Sequence, residues 1–83
     1  MPTYKVSVNS SDWTLISSSK AGYLENQGPS AVKLRSSVTA PAPADRMGHN
    51  LGINESIGWS QLVGENVYAK TIEGSSSIVI TES

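Results

Sequence analysis

Short runs of alternating apolar and polar residues, broken by Ser, Asn, Gly and Pro, constrain this chain more than any other feature. In "TYKVSV", Tyr4, Val6 and Val8 fall on one face and Thr3, Lys5 and Ser7 on the other, the two-residue period of a strand. "WTLIS" follows after the turn residues "NSSD", so residues 3–17 read as a hairpin. "GYLENQ" leads through "GPS" into "AVKLRSS", in which Val32 and Leu34 point inward and Lys33 and Arg35 outward. The later runs "ESIGWSQL", "NVYAKTI" and "SSIVITE" are separated by Gly64-Glu65 and Glu73-Gly74, which read as hairpin punctuation. The expected fold is all-β: a small antiparallel β-sandwich or β-barrel of about seven short strands, with no substantial helix. A single helical turn is conceivable only at "PADRMG", with Pro43 at its start.

The chain has 83 residues, enough for one domain spanning 1–83. A domain this small buries only about 60–65% of the surface its unfolded chain exposes, so many such folds need external support. With no cysteine, neither disulfides nor thiolate metal sites supply it, and oligomerisation is the remaining route. Residues 38–48 contain Pro41 and Pro43, each of which removes a backbone donor and biases the alanine before it toward extended conformations. They read as a Pro/Ala-rich connecting loop or arm, exposed or laid across a neighbour.

Six Lys and Arg stand against seven Asp and Glu, a formal net charge of -1. The basic residues are scattered, without the clustered phosphate contacts that duplex binding requires, so no nucleic-acid partner is expected. No segment reaches the ~20 apolar residues of a membrane-spanning helix and no export signal is visible, so no membrane partner is expected either. Asn9-Ser10-Ser11 and Asn54-Glu55-Ser56 match the glycosylation triplet, a weak signal in a serine-rich chain.

His49, the single histidine, is the first residue to test for chemistry. Its readings are a general base, a metal ligand, or a loop histidine bonded to backbone or a partner. Zinc would have to be held mainly by carboxylates, and no nucleophile-elbow pattern accompanies the serines. A glycosidase needs two carboxylates facing each other across a cleft, yet Glu65 and Glu73 lie in turns. A calcium site from Asp45, Asn50 or Glu55 lacks the EF-hand spacing. The expectation is therefore no catalytic residue, no metal and no cofactor. Among the aromatics, Trp13 and Trp59 are expected in the core between sheets, and Tyr23, within "KAGYLENQG", is the best exposed platform.

The order "WTLIS", "ENQG", "VKLRSS", a Pro-containing loop, "GHNLG" and finally "GENVYAKTIEGSSSIVITE" resembles that of small virion structural proteins of tailed bacteriophages, over roughly residues 4–82. The resemblance implies a capsid decoration (cement) protein, or else a tail or head-to-tail component. Such a protein is folded in the host cytoplasm, sits on the capsid surface, is trimeric, and has the major capsid protein or another virion protein as its partner. The residues expected to touch that partner are Tyr4 and Val6 on the first strand, Tyr23, and Arg46, Met47 and His49 in the Pro-containing region. A reading of a different class is a glycan-binding host-attachment module built on Tyr23 or an exposed tryptophan.

Overall fold

The computed structural model describes residues 3–61 and 64–82; the run "ESIGWSQL" therefore ends, at Leu62, outside the described residues. Among the described residues eight strands form: β1 (Thr3–Asn9), β2 (Thr14–Ser17), β3 (Ala21–Asn26), β4 (Val32–Ser37), β5 (His49–Leu51), β6 (Ser56–Ser60), β7 (Asn66–Thr71) and β8 (Ser75–Glu82). They make two antiparallel four-stranded sheets, β1-β8-β3-β6 (sheet A) and β2-β7-β4-β5 (sheet B), packed as a sandwich. The strand beyond the expected seven is β5, three residues that follow the Pro-containing segment and are too short to show alternation.

Alternation along each strand supplies the core. In sheet A the cross-strand row Tyr4–Ile80–Leu24–Ile57 faces inward, as does Val6–Ile78–Asn26. In sheet B, Val32, Leu34, Val67 and Ala69 face them, and with Val8, Ile16, Leu51, Ile78 and Ile80 they form one buried cluster. Fully burying a side chain such as Ile78 or Ile80 stabilises the fold by roughly 1.5–3 kcal/mol. The outward residues Lys33 and Arg35 alternate with these as the strand period requires.

The connectivity differs from the expected hairpins. Residues 3–17 are not a hairpin: β1 pairs with β8 over Thr3–Asn9, whereas β2 pairs with β7 in the other sheet. Gly64-Glu65 and Glu73-Gly74 likewise carry the chain from one sheet to the other. Among the described strands only β4 and β5 are consecutive members of the same sheet. Glycine turns serve arches between sheets as well as hairpins within one: Gly64 and Gly74 have φ of 94° and 73°, which a glycine adopts without strain.

The buried Asn26 pins this topology. Its Nδ2 donates to the carbonyls of Ser30 (2.8 Å), Gly52 (3.2 Å) and Leu51 (3.3 Å). Its Oδ1 accepts the Gly28 N–H (3.2 Å) and the Ser76 hydroxyl (2.5 Å). The end of β3 is thereby tied to the β3–β4 connection, the end of β5 and the start of β8. Gly28 fits there because a Cβ at that position would lie 2.0 Å from Ser76 Oγ.

Candidate functional site

The 38–48 connection neither floats free nor forms a helical turn. It folds back as a strap over the outer face of sheet B, turning at Pro43–Ala44 with Asp45 N–H donating to the Ala42 carbonyl at 2.9 Å. Three ties hold it. Arg35, on the outer side of β4, donates to Asp45 Oδ2 at 2.6 Å. Lys70, outward on β7, donates through Nζ to the Pro43 carbonyl. Trp13, just ahead of β2, donates its indole N–H to the Asp45 carbonyl at 2.9 Å.

This arrangement corrects the expectation that Trp13 lies in the core between the sheets. Trp13 is buried, but beneath the strap on the outer face and not in the cluster between the sheets; a Cβ on Gly48 would lie 3.2 Å from its ring. The strap is also why Tyr68 and Lys70, which alternate outward from Val67 and Ala69, are themselves buried. Burying a lysine costs little when its ammonium meets a carbonyl and lies near a carboxylate.

Asp45 is the pivot. Its Oδ1 accepts the Met47 N–H at 3.0 Å while Oδ2 holds Arg35, so the Met47 N–H first, and the Arg35 guanidinium second, keep its carboxyl below the ordinary value of 3.8. With both oxygens engaged in this way, Asp45 orients the strap and does not orient His49. Past the pivot the chain turns side chains outward: Met47 is 68% exposed and Arg46 is exposed beside it. Val38, where the strap leaves β4, is also exposed.

His49 opens β5 opposite Leu34, at the mouth of a cleft between the edge strands of the two sheets. The cleft holds about 290 Å³ and is lined mainly by Leu24, Leu34, Val67, Ile57 and Trp59. Trp59 is half-buried at this lateral opening, its indole N–H donating to the Ser19 carbonyl at 3.1 Å, rather than sealed in the core. It leans over Gly22, where a Cβ would lie 2.7 Å from its ring.

The opposite flank is closed by a polar cluster. Tyr4 is held inside its own sandwich: its hydroxyl lies 2.7 Å from the Ile16 carbonyl and 3.0 Å from Glu82 Oε2, two acceptors for one phenolic proton. Ser17 donates to the same Glu82 oxygen at 2.5 Å, and this bond is the main cause of a Glu82 carboxyl below its usual range. Burial first, and then the hydrogen bond to Glu82 together with its charge, push the Tyr4 hydroxyl above 10.0, against a downward pull from the Ser17 hydroxyl that is smaller than the effect of burial. Val6 is half-buried against the core. The side chains of Tyr4 and Val6 therefore serve the fold, while among the described strands none pairs with the outer backbone edge of β1.

Tyr23 is 57% exposed on the outer face of sheet A, in a row with Thr81 and Gly58 and remote from the strap. Of the six residues expected to touch a partner, the structure lines one surface depression with Met47 and His49, leaves Arg46 exposed next to Met47 in the chain, sets Tyr23 on the other sheet, and turns Tyr4 and Val6 inward. Asp45, Trp13 and Lys70, which hold the strap, carry no local signal in the sequence, since Trp13 and Asp45 are 32 residues apart.

Among the described residues no three His, Asp or Glu side chains gather to hold a metal ion. Nor is any helix there long and apolar enough to cross a membrane. Comparison with protein families, with curated proteins and with solved structures returns no match to this chain.

Proposed function

We propose that this chain is a non-enzymatic structural protein of a virion, a capsid decoration protein that binds across capsid subunits. The observation that carries the reading is the strap, a long connection tied to its own sheet at three points that turns Met47, Arg46 and Val38 outward. A surface organised before contact loses little conformational entropy on docking, and methionine adapts to irregular apolar partners. Capsid subunits bridged in this way must break additional contacts to separate, and repetition over many copies multiplies a weak individual contact. The motif order that resembles phage virion proteins points the same way.

The test is the copy number of this chain relative to the major capsid protein in purified particles, by quantitative mass spectrometry. A ratio of the same order as the capsid subunits is expected. About six or twelve copies per particle, the multiplicity of tail and portal rings, would move the chain to the head-to-tail region. Absence from particles would overturn the virion reading.

A second reading has its own observation. Tyr23 projects from a face of small and polar residues, with Gly58 leaving one flank of the ring uncovered, an arrangement suited to stacking on a sugar. Binding of host polysaccharide that is lost in Tyr23→Ala, with the strand signal in circular dichroism unchanged, would favour that module instead.

A further inference from the structure

The two sheets present four edge strands, β1 and β6 in sheet A and β2 and β5 in sheet B. Three are poor templates for another strand. β5 has three residues, β2 has four with a register shift between Leu15 and Ser17, and β6 carries Gly58 at its centre. Short, bulged or glycine-broken edges resist pairing. β1 is different. It has seven residues, contains neither Gly nor Pro, and pairs with β8 in unbroken register from Thr3↔Thr81 to Asn9↔Ser75, so its far side offers a straight row of backbone donors and acceptors.

We infer that this edge is filled by β1 of a second copy, antiparallel and centred on Val6, joining two A sheets into one eight-stranded sheet about a two-fold axis. In that register Val6 meets Val6, Tyr4 meets Val8, Lys5 meets Ser7 and Thr3 meets Asn9, so all seven residues are used. Inward residues meet inward ones and outward meet outward, as one continuous pleat demands. Residues of like parity meet, so whichever set directs its N–H and C=O groups to the open edge finds the same set opposite. Tyr4 against Val8 is an aromatic and β-branched pair, a favourable cross-strand neighbour.

Charge and strand length together select this register. Lys5 is the single charged residue of β1 and lies on the exposed outer face. Moving the axis to Lys5 stacks the two lysines on each other, and moving it to Ser7 leaves Thr3 and Tyr4 without mates. The centred register instead sets Lys5 of each copy against a neutral serine. The contact depends on the edge alone and stands apart from the virion reading.

The test is sedimentation equilibrium on the wild-type chain, Ser7→Lys and Ser7→Glu. Ser7 is exposed on the outer face, so neither change touches the core. By symmetry each creates two pairs with Lys5 of the other copy, repulsive in S7K and attractive in S7E. At roughly 0.2–1 kcal/mol for each pair, S7K raises the dimer Kd by roughly 2- to 30-fold and S7E lowers it by a similar factor. The wild-type chain is expected at twice its 8.8 kDa mass.

Val6→Cys adds a geometric check, because the natural chain has no cysteine. V6C should form a covalent dimer on oxidation, whereas S7C, two residues out of register with itself, should not. A wild-type chain still monomeric at about 1 mM, a trimer, or an assembly whose affinity is the same in S7K and S7E would overturn the proposal. Should V6C fail to fold, the two Ser7 variants decide the matter. A dimer found in a chain absent from virions would leave this contact standing and remove the virion reading, so the two fail separately.

Discussion

At the scale of single residues, Asn26 has consequences out of proportion to its size. Its amide N–H groups face three carbonyl oxygens while its carbonyl faces an N–H and a hydroxyl, so the side chain fits in one orientation only. Asn26→Ala strands these groups in a site with 0% exposure, and each buried unsatisfied group costs about 1–3 kcal/mol. We expect a loss of about 3–5 kcal/mol, a large share of the stability of a small domain. Asn26→Asp keeps the shape but presents a carboxylate to the three carbonyls, and should be at least as destabilising as the alanine variant. Urea denaturation checks both; an aspartate variant within about 1 kcal/mol of wild type would mean that the three carbonyls do not depend on the amide.

At the scale of the element, the strap gives a pH-dependent prediction. Its carboxylate, Asp45, has a folded pKa below the ordinary 3.8, so the unfolded or unstrapped chain takes up that proton first as the pH falls. The contribution of Asp45 is complete above the ordinary carboxylate range and is lost as the pH drops through the lowered value. Below about pH 4, then, the strap should loosen before the sandwich unfolds. The indole N–H resonance of Trp13, bonded to the Asp45 carbonyl, should shift in that window while the strand signal in circular dichroism holds. Arg35→Gln should move the Trp13 transition to higher pH; a Trp13 shift that coincides with loss of the strand signal in every variant would mean that the strap has no separate transition.

The same scale shows what the sequence makes legible. Strand β1 stands out because apolar and polar residues alternate over all seven of its positions, β4 because Val32-Lys33-Leu34-Arg35 alternates over four, and β8 because Ile78-Val79-Ile80 is a β-branched run bounded by polar residues. Their assignment to sheets does not, because Gly and Ser turns look alike whether they close a hairpin or an arch, and the choice is made by core packing across the sandwich. Local pattern also marks Met47 and Arg46 as belonging to a loop and Tyr23 as exposed. It is silent on the anchors, since Trp13, Arg35 and Lys70 read as ordinary strand residues until Asp45 lands among them. Tyr4 and Val6 are on the edge strand, as alternation and position suggest, but with their side chains facing home.

For the whole molecule, the decisive feature is that strand pairing ignores sequence order. Thr3 and Thr81, 78 residues apart, are cross-strand neighbours with hydroxyls 2.9 Å from each other. Closing such a long loop before its contacts form is entropically costly, and folds dominated by distant pairings fold slowly. Joining Glu82 to Thr3 by a short Gly-rich linker and opening the chain between Ser10 and Ser11, both exposed in the β1–β2 arch, would turn the β8–β1 pair into a local hairpin. The sheet contacts are kept, because the cut falls in an exposed turn and crosses the exposed bonds of Asn9 Oδ1 with the N–H groups of Ser11 and Asp12. If β1–β8 pairing is formed at the folding barrier, the permuted chain should refold about tenfold faster with little change in its unfolding rate. Stopped-flow tryptophan fluorescence reads both rates. An unchanged refolding rate with slower unfolding would place the β1–β8 seam after the barrier and leave the sheet B pairings of β4 and β7 as the nucleus.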